Sequence, residues 1–405
     1  MPYIKMYPAN NGDAFLIKDN TTNPIAILID GGYATTFQTF ICPDLEHLAQ
    51  LGYSLDLVVA THIDADHIAG LLTFLKLNGN SQAPKIIQVE HVWHNSLRSL
   101  VFAPLADGQM TPDDKDLLIE IARRGYPIPT DQAVQSEEIS ARQGSSLAAL
   151  LLGGDYKWNM GDGTRSINST DVEPIEVRSD LHLRIVGPPV ARLEQLKHRW
   201  IAEMRELGFT GKIGATDAFD DAFEFLCAYE DLRTSVSAEP IALSASENRC
   251  LEEVYLADSS VTNGSSISII AEVGHSRLLF LGDSWAEDME VVLRALPVAT
   301  FPMIFDAIKI SHHGSLHNTS PALLKLIDAP VFLVSSNGDR HSHPDLEVLK
   351  AIVDRPSNFQ RNLYFNYSTY ASQQMHHYTS ISGAAFTVYE GSVDWVEIGV
   401  RQNDR

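Results

Sequence analysis

Cysteine is scarce in this sequence: the chain of 405 residues has three, Cys42, Cys227 and Cys250, whose spacing suggests no pairs. This scarcity argues against a disulfide framework and is typical of a reducing compartment, so we expect a cytoplasmic protein. No apolar run approaches the roughly 18 residues that cross a bilayer, which argues against a membrane partner. The first residues show no basic segment followed by a long apolar one, so we expect no signal peptide.

Basic residues are also outnumbered. Lys and Arg number 30 against 52 Asp and Glu, which gives a formal net charge of −22. Such acidity favours solubility and argues against a general nucleic-acid-binding surface. A local basic groove or bound cations could still offset this charge at one site. The hydrophobic content of 44% and the charged content of 20% predict a globular core.

Potential metal ligands are concentrated in one short segment. The apolar run 55–60 predicts a buried strand, and His62, Asp64, Asp66 and His67 follow it directly. Alternate residues of an extended segment point the same way, so the first three can converge, and the last can return from the first turn of a helix. Imidazole nitrogen and carboxylate oxygen together suit Zn, Mn or Fe. The segment therefore predicts a metal site.

Three later apolar segments end in residues of the same kind. They are Asp283 after the run 278–281, His312 and His313 after the run 308–310, and His343 after the run 331–335. A single strand that ends in Asp or His is usually a turn or a structural residue, but three of them after the first segment favour a shared site. If strand alternation continued, His312 and His313 would point to opposite faces, so the sequence leaves open which of them is a ligand.

The pattern of strands and helices predicts three parts. Residues 1–95 and 263–405 alternate strands with helices and form two halves of one domain, whereas residues 96–262 form a mainly helical insertion. Within the insertion, one strand-like stretch near 181–187 is expected to join the core sheet. The end of the chain, 384–400, is expected to form a β-hairpin. Alternation at both ends predicts two sheets that are covered by helices on their outer sides.

Five motifs in this order resemble the metallo-β-lactamase-fold hydrolases. They are Gly12-Asp13-Ala14-Phe15-Leu16-Ile17, Ile29-Asp30-Gly31-Gly32, Thr61-His62-x-Asp64-x-Asp66-His67-x-x-Gly70, Leu281-Gly282-Asp283 and His312-His313-Gly314-Ser315. Within that family the chain most resembles the lactamase-like domain of bacterial DNA-uptake (competence) channel proteins, which share the late His343-Pro344. The resemblance covers roughly 1–95 and 263–355.

The resemblance implies an α/β protein with an αββα sandwich and one or two divalent metal ions, Zn or Mn. Carried over residue by residue, the metal ligands are His62 and Asp64 at the first ion, Asp66 and His67 at the second, Asp283 between them, and His312 as a further ligand or a phosphate-side residue. Residues with expected catalytic roles are Asp66, which would orient water, and His313 and His343, which would assist the oxyanion or the leaving group. Residues expected beside the ligands are Asp13, Asp30, His94 and Asn263.

Two departures from the family pattern shift the expected chemistry. Asp64 stands where the family commonly has His, and near Asn263 the usual third histidine is missing. Asn263 would replace that ligand or hydrogen-bond a metal-bound water, and His91 or His94 could supply an imidazole from a neighbouring loop. Replacing imidazole by oxygen favours harder ions such as Mn²⁺.

These observations favour a soluble metal-dependent hydrolase, a phosphodiesterase or nuclease that uses a metal-bound hydroxide on DNA, RNA or a small nucleotide. The net charge disfavours long duplexes unless the insertion forms a basic channel. The segment 192–205 is the best candidate for contacting an anionic substrate, but its glutamates favour an ordinary solvated helix face. One alternative is hydrolysis of a lactone, ester or thioester. Another is a regulatory or interaction protein of a bacterial defence or stress operon, with the insertion binding a protein partner.

Overall fold

The computed structural model describes residues 1–20, 23–101, 110–124, 146–170, 173–228, 249–297 and 300–399. The strands are β1 Pro2–Met6, β2 Phe15–Asp19, β3 Ile25–Ile29, β4 Leu57–Val59, β5 Val92–Trp93, β6 Ile175–Arg178, β7 Leu181–Gly187, β8 Ser268–Val273, β9 Ser276–Phe280, β10 Met303–Ile304, β11 Ala307–Lys309, β12 Ile327–Asp328, β13 Val331–Val334, β14 Arg361–Phe365, β15 Phe386–Tyr389 and β16 Trp395–Glu397.

Helices alternate with these strands over most of the described chain. They are α1 Ala34–Thr36, α2 Cys42–Gln50, α3 Ala65–Asn78, α4 Leu97–Leu100, α5 Pro112–Arg124, α6 Leu147–Gly153, α7 Val190–Glu206, α8 Asp217–Cys227, α9 Leu251–Val254, α10 Val261–Gly264, α11 Ala286–Ala295, α12 Pro321–Leu324, α13 Leu346–Val353 and α14 Tyr370–Met375, with a π-helical segment Phe37–Ile41 and a 3-10 segment Ser311–Gly314. Among these helices, none is both apolar and long enough to span a bilayer.

The two large sheets differ in their strand directions. The first has the order β16-β1-β2-β3-β4-β5, in which β1, β2 and β3 are antiparallel and β4 and β5 continue in parallel. The second has the order β15-β14-β13-β11-β9-β8-β7-β6. Its first five strands are parallel and its last three are antiparallel, with β7 lying between β8 and β6. Strands β10 and β12 form a separate short pair.

Three apolar clusters show how the layers stack. One cluster joins the facing sides of the two sheets and includes Ile4, Phe15, Ile27, Leu183, Ile269 and Leu333. A second joins the outer side of the first sheet to α2, α3 and the helices α7 and α8, and the third joins the outer side of the second sheet to α11 and α13. The order helix, sheet, sheet, helix confirms the predicted αββα sandwich.

The predicted hairpin at the end of the chain is wrong. Strand β15 pairs with β14 in the second sheet, whereas β16 pairs with β1 in the first sheet. Period-two alternation indicates two strands correctly, but it carries no information about which sheet edge each strand completes. The last strands therefore end two different sheets instead of pairing with each other.

Three close backbone contacts position the metal-ligand segment. The amide of Gly31 donates to the carbonyl oxygen of His67 at 2.8 Å, and a Cβ atom built on Gly70 would lie 1.9 Å from the oxygen of Gly31. A Cβ atom built on Gly12 would lie 2.0 Å from the oxygen of Asp66. These glycines permit the start of α3 to pack directly on the turns after β1 and β3, because no side chain separates the backbones.

Candidate metal centre

The predicted ligands come together at the carboxyl ends of strands from both sheets. They are His62 and Asp64 after β4, Asp66 and His67 at the start of α3, Asp283 after β9 and His312 after β11. His313, predicted as a catalytic residue, joins them. The carbonyl oxygen of Thr61 accepts from the amide of Ile267 at 2.8 Å, which joins the two sheets at this edge. Open α/β sheets commonly place their sites at such strand ends.

One oxygen of Asp283 lies at the centre of four imidazoles. Its Oδ2 is 3.5 Å from Nε2 of His67, 3.6 Å from Nε2 of His313, 3.8 Å from Nε2 of His312 and 3.9 Å from Nε2 of His62. The Asp283 side chain is buried. Imidazole nitrogens grouped around a buried carboxylate oxygen form a ligand set that suits a divalent cation.

Asp30 and Thr61 fix the proton positions of two of these rings. Nδ1 of His67 lies 2.9 Å from Oδ2 of Asp30, which as a carboxylate oxygen accepts. The Thr61 hydroxyl donates to the same oxygen at 2.7 Å and therefore accepts from Nδ1 of His62 at 3.1 Å. In the neutral form of both rings, the lone pair is thus on Nε2 and faces Asp283.

The other two rings are fixed in the same sense. Nδ1 of His313 lies 2.7 Å from the carbonyl oxygen of Ser335, which can only accept. Nδ1 of His312 lies 2.7 Å from Oδ1 of Asn318, whose amide nitrogen donates to the carbonyl oxygen of Asp283 at 3.0 Å. All four neutral rings therefore direct an Nε2 lone pair towards the same carboxylate oxygen.

The strand alternation that would have turned His312 and His313 to opposite faces does not continue. Both residues have positive φ angles, 45° and 55°, so the alternation of β11 ends before them. This backbone turns both rings towards Asp283. Left-handed backbone at residues other than glycine is costly and is often found at functional sites.

The donor atoms fit a divalent metal. Nε2 of His62 is buried and has no hydrogen-bond partner in the described part of the chain, although it lies 3.3 Å from Oδ2 of Asp64. Buried polar atoms nearly always have a partner, and a bound cation would supply one here. Ligand atoms lie within 4.8 Å of one another in several overlapping groups, which include His62 with His67 and Asp283, Asp66 with His67 and His313, and Asp283 with His312 and His313.

Asp66 is held by a hydrogen bond from Asn11, a residue that sequence reasoning missed. Its Oδ2 accepts from the amide nitrogen of Asn11 at 2.6 Å, and the oxygen of Asn11 accepts from the hydroxyl of Tyr33 at 3.0 Å. Only the position of Asn11 beside the Gly12-Asp13 turn could have indicated it. The contact holds one oxygen of Asp66 and leaves the other for a cation or water.

Lys309 is the second residue that sequence reasoning missed. Its side chain is 1% exposed, and its ammonium group contacts Oδ2 of Asp13 and donates to Oδ1 of Asp283 at 3.4 Å and to the carbonyl oxygen of Gly282 at 2.8 Å. Burial would lower the pKa of Lys309, but Asp13 and Asp283 outweigh it and raise that pKa. The available signal was a lysine inside the apolar run of β11, since a buried charge needs a partner.

The charges in the centre are strongly interdependent. Burial would raise the pKa of Asp283, but His313, His67 and Lys309 hold that pKa well below its ordinary value. Burial would lower the pKa of His67, but Asp283 and Asp30 hold that pKa well above its ordinary value. A cation at Nε2 of His67 would have to displace a proton, so we expect cation binding to release protons and to weaken in acid.

Other predicted residues lie at the margin of the centre or apart from it. Asn263, near the expected position of the missing histidine, donates to Oδ2 of Asp258 at 2.8 Å. Asp258 also accepts from the amide nitrogen of Asn318 at 2.9 Å, so Asn263 joins the network that holds His312. The structure places His94 elsewhere, with its Nε2 2.8 Å from Glu224 on α8.

The basic residues of α7 are engaged in local contacts. Arg192 binds Asp288 through two nitrogens and stacks 3.9 Å from the ring centroid of Trp285. Arg205 donates to the carbonyl oxygens of Phe209 and Gly211. These contacts favour a structural role for α7 over a basic channel.

His343 lies beside the imidazoles, and its titration should affect stability. Its ring centroid is 5.2 Å from that of His312, and burial lowers its pKa to about 4. Because an unfolded histidine titrates near 6.5, the unfolded chain binds this proton more tightly. The resulting stability is complete above about pH 6.5 and falls by up to about 3 kcal/mol as the pH drops towards 4.

Urea unfolding at pH 7 and pH 5 with a chelator would measure this effect in the wild type and in His343→Gln. We expect the variant to lose less unfolding free energy than the wild type over this interval. His377→Gln, at an exposed position, is the control and should behave as the wild type. Equal losses in all three proteins would contradict the prediction.

Comparison with known proteins matches part of the chain to one family model. Residues 7–137 match the metallo-beta-lactamase superfamily model, a segment that contains His62 and His67 but not Asp283. No curated protein matches the chain. Among solved structures, the chain is similar to the crystal structure of a long form RNase Z from yeast at 8% identity and a TM-score of 0.31. That alignment covers 96% of this chain and 45% of the RNase Z chain, so the chain spans less than half of its length.

Proposed function

We propose that this chain is a metal-dependent hydrolase that acts on a phosphodiester in DNA, RNA or a small nucleotide. The observation that carries the proposal is the arrangement around Asp283, where four imidazole Nε2 atoms lie within 3.9 Å of one buried carboxylate oxygen. The match of residues 7–137 to the metallo-beta-lactamase superfamily supports metal-dependent hydrolysis. It does not specify the substrate, and the phosphodiester is argued separately below.

One or two divalent ions, Zn or Mn, would be held by residues that surround this oxygen. These residues are His62, Asp64, Asp66, His67, Asp283, His312 and, from the geometry, His313. A cation in this position would act as a Lewis acid and would lower the pKa of water towards neutrality. The carboxylates at positions 64 and 66 favour a harder ion such as Mn²⁺ more than an all-histidine site would.

The protein's own residues would orient the reactants. Asp66, held by Asn11, would accept a hydrogen bond from the attacking water. His343 has a pKa of about 4 and would be neutral near pH 7. It would therefore donate a hydrogen bond to a substrate oxygen instead of delivering a proton at that pH. His313 acts in this scheme as a ligand instead of the acid that the sequence suggested.

A phosphodiester is favoured over a lactone or thioester for two reasons. The carboxylates among the candidate ligands suit phosphate chemistry, and the motifs resemble the lactamase-like domain of DNA-uptake proteins. The net charge of −22 and the local pairing of the α7 arginines favour a short or cyclic substrate over a long duplex. The division into residues 1–95, 96–262 and 263–405, and a protein partner for the insertion, also remain proposals.

A metal and substrate screen tests the proposed function. Purified protein would be stripped with a chelator, reloaded with Mn²⁺ or Zn²⁺, and assayed on bis-p-nitrophenyl phosphate, single-stranded DNA, RNA, a cyclic dinucleotide and a lactone. We expect phosphodiester cleavage that requires metal and falls about a hundredfold in Asp66→Ala. Asp116→Ala, at an exposed position of α5, is the control. Turnover of the lactone alone would replace the phosphodiester by an ester substrate, and absence of both metal and turnover would reject the enzyme.

A further inference from the structure

The two oxygens of Asp283 have different surroundings. Oδ2 faces the imidazole nitrogens at 3.5 to 3.9 Å, whereas Oδ1 accepts from the ammonium group of Lys309 at 3.4 Å. The same ammonium donates to the carbonyl oxygen of Gly282 at 2.8 Å. Lys309 thus contacts both the carboxylate of Asp283 and the peptide group that joins Gly282 to Asp283.

Asp13 balances the charge of Lys309 from the other side. One Asp13 oxygen contacts the ammonium group, and the other lies 3.2 Å from Nδ1 of His313. The side chains of Asp13 and Lys309 are 2% and 1% exposed, so this ion pair is held away from water. A buried pair of this kind restricts both partners to a narrow set of positions, because leaving either charge unpaired is costly.

We propose that Lys309 is a positioning residue that holds Oδ1 of Asp283 and thereby presents Oδ2 alone to the metal. The proposal rests on the metal-dependent function proposed above. In this arrangement Oδ1 of Asp283 binds Lys309, and Oδ2 is left for the cation. Lys309 contacts none of the imidazole nitrogens in the described structure, so its action is through Asp283.

The charge of Lys309 makes the proposal testable by the sign of the effect. A positive charge beside a cation site repels the cation, so a lysine that acted only through its charge would weaken metal binding. Its removal would then tighten binding. Removal of a lysine that positions a ligand would instead weaken metal binding, because loss of a residue that holds a metal ligand typically lowers affinity by about tenfold to a hundredfold.

Isothermal titration of chelator-stripped protein with MnCl₂ would measure affinity and stoichiometry in the wild type and in Lys309→Met. We expect Lys309→Met to bind Mn²⁺ at least about tenfold more weakly, without a corresponding change in Lys76→Met, an exposed control on α3. Thermal unfolding in chelator would separate this effect from a loss of folding. Equal or tighter binding by folded Lys309→Met would overturn the proposal.

A double variant removes the unpaired carboxylate that Lys309→Met leaves behind. Asp13→Asn with Lys309→Met keeps the net charge of the centre and, if the lysine only neutralises Asp13, should bind Mn²⁺ as the wild type does. Positioning of Asp283 predicts weak binding in the double variant as well. If the wild type itself binds neither Mn²⁺ nor Zn²⁺, the proposed function fails. If the wild type binds metal and the Lys309 variants bind it with the same affinity, only the positioning role fails.

Discussion

Replacing Asp283 by Asn is expected to abolish metal binding at the centre and to reduce hydrolysis by about a thousandfold or more. The substitution keeps the shape of the side chain but removes the negative charge that faces the four imidazoles. An amide is a weaker ligand than a carboxylate, and its NH₂ group could turn towards the imidazole lone pairs and occupy them. One change would therefore affect every overlapping ligand group that contains this residue.

Metal content of dialysed protein and initial rates at saturating Mn²⁺ would check this result. Asp306→Asn is the matched control, because Asp306 is also a buried carboxylate and caps the amide of Arg277 at the opposite end of the same parallel strands. It should lose stability without losing metal. Retention of stoichiometric metal by Asp283→Asn would contradict the proposed centre, even if the variant were inactive.

Replacing Gly70 by Ala is expected to destabilise the protein by about 3 kcal/mol or more. The new methyl group would lie 1.9 Å from the carbonyl oxygen of Gly31, which is far inside van der Waals contact. Both partners are backbone, so neither can move aside as a flexible side chain could. To relieve the clash, α3 must shift away from the end of β3 and carry His67 away from Asp30 and Asp283.

Chemical unfolding in chelator would measure the stability of Gly70→Ala, and metal titration would measure its affinity. Gly153→Ala is the control, since a Cβ atom built there meets nothing within 4 Å. We expect Gly153→Ala to be neutral, whereas Gly70→Ala should be unstable and bind metal weakly if it folds. Wild-type stability of Gly70→Ala would mean that α3 can pack with a wider spacing than the structure shows.

The fold was predictable where the signal was local. Buried runs such as 25–29 and 331–334 predict strands, and the polar residues after them mark the strand ends. The resemblance in motifs then implied the sandwich. The end of the chain was not predictable, because β15 and β16 pair with strands that are distant in sequence, and alternation does not specify a partner.

The candidate site was predictable as a set of side chains but not as an arrangement. The structure brings His62, His67, His312 and Asp283 together, as the motifs suggested. It adds Lys309, which the sequence marks as a lysine inside an apolar run without indicating that Asp13 and Asp283 are its partners.

The sequence by itself determined the chemistry that the protein can offer. It specifies which ligand atoms are present and at which strand ends they lie, and it shows that the chain is acidic and poor in cysteine. Only the tertiary structure decided which nitrogen of each imidazole is available, that His312 and His313 face the same oxygen, and that a buried ammonium holds the other oxygen of Asp283. The physical reason is that these features depend on hydrogen bonds between distant segments. Such bonds form only after the two sheets have assembled, so no local sequence pattern indicates them.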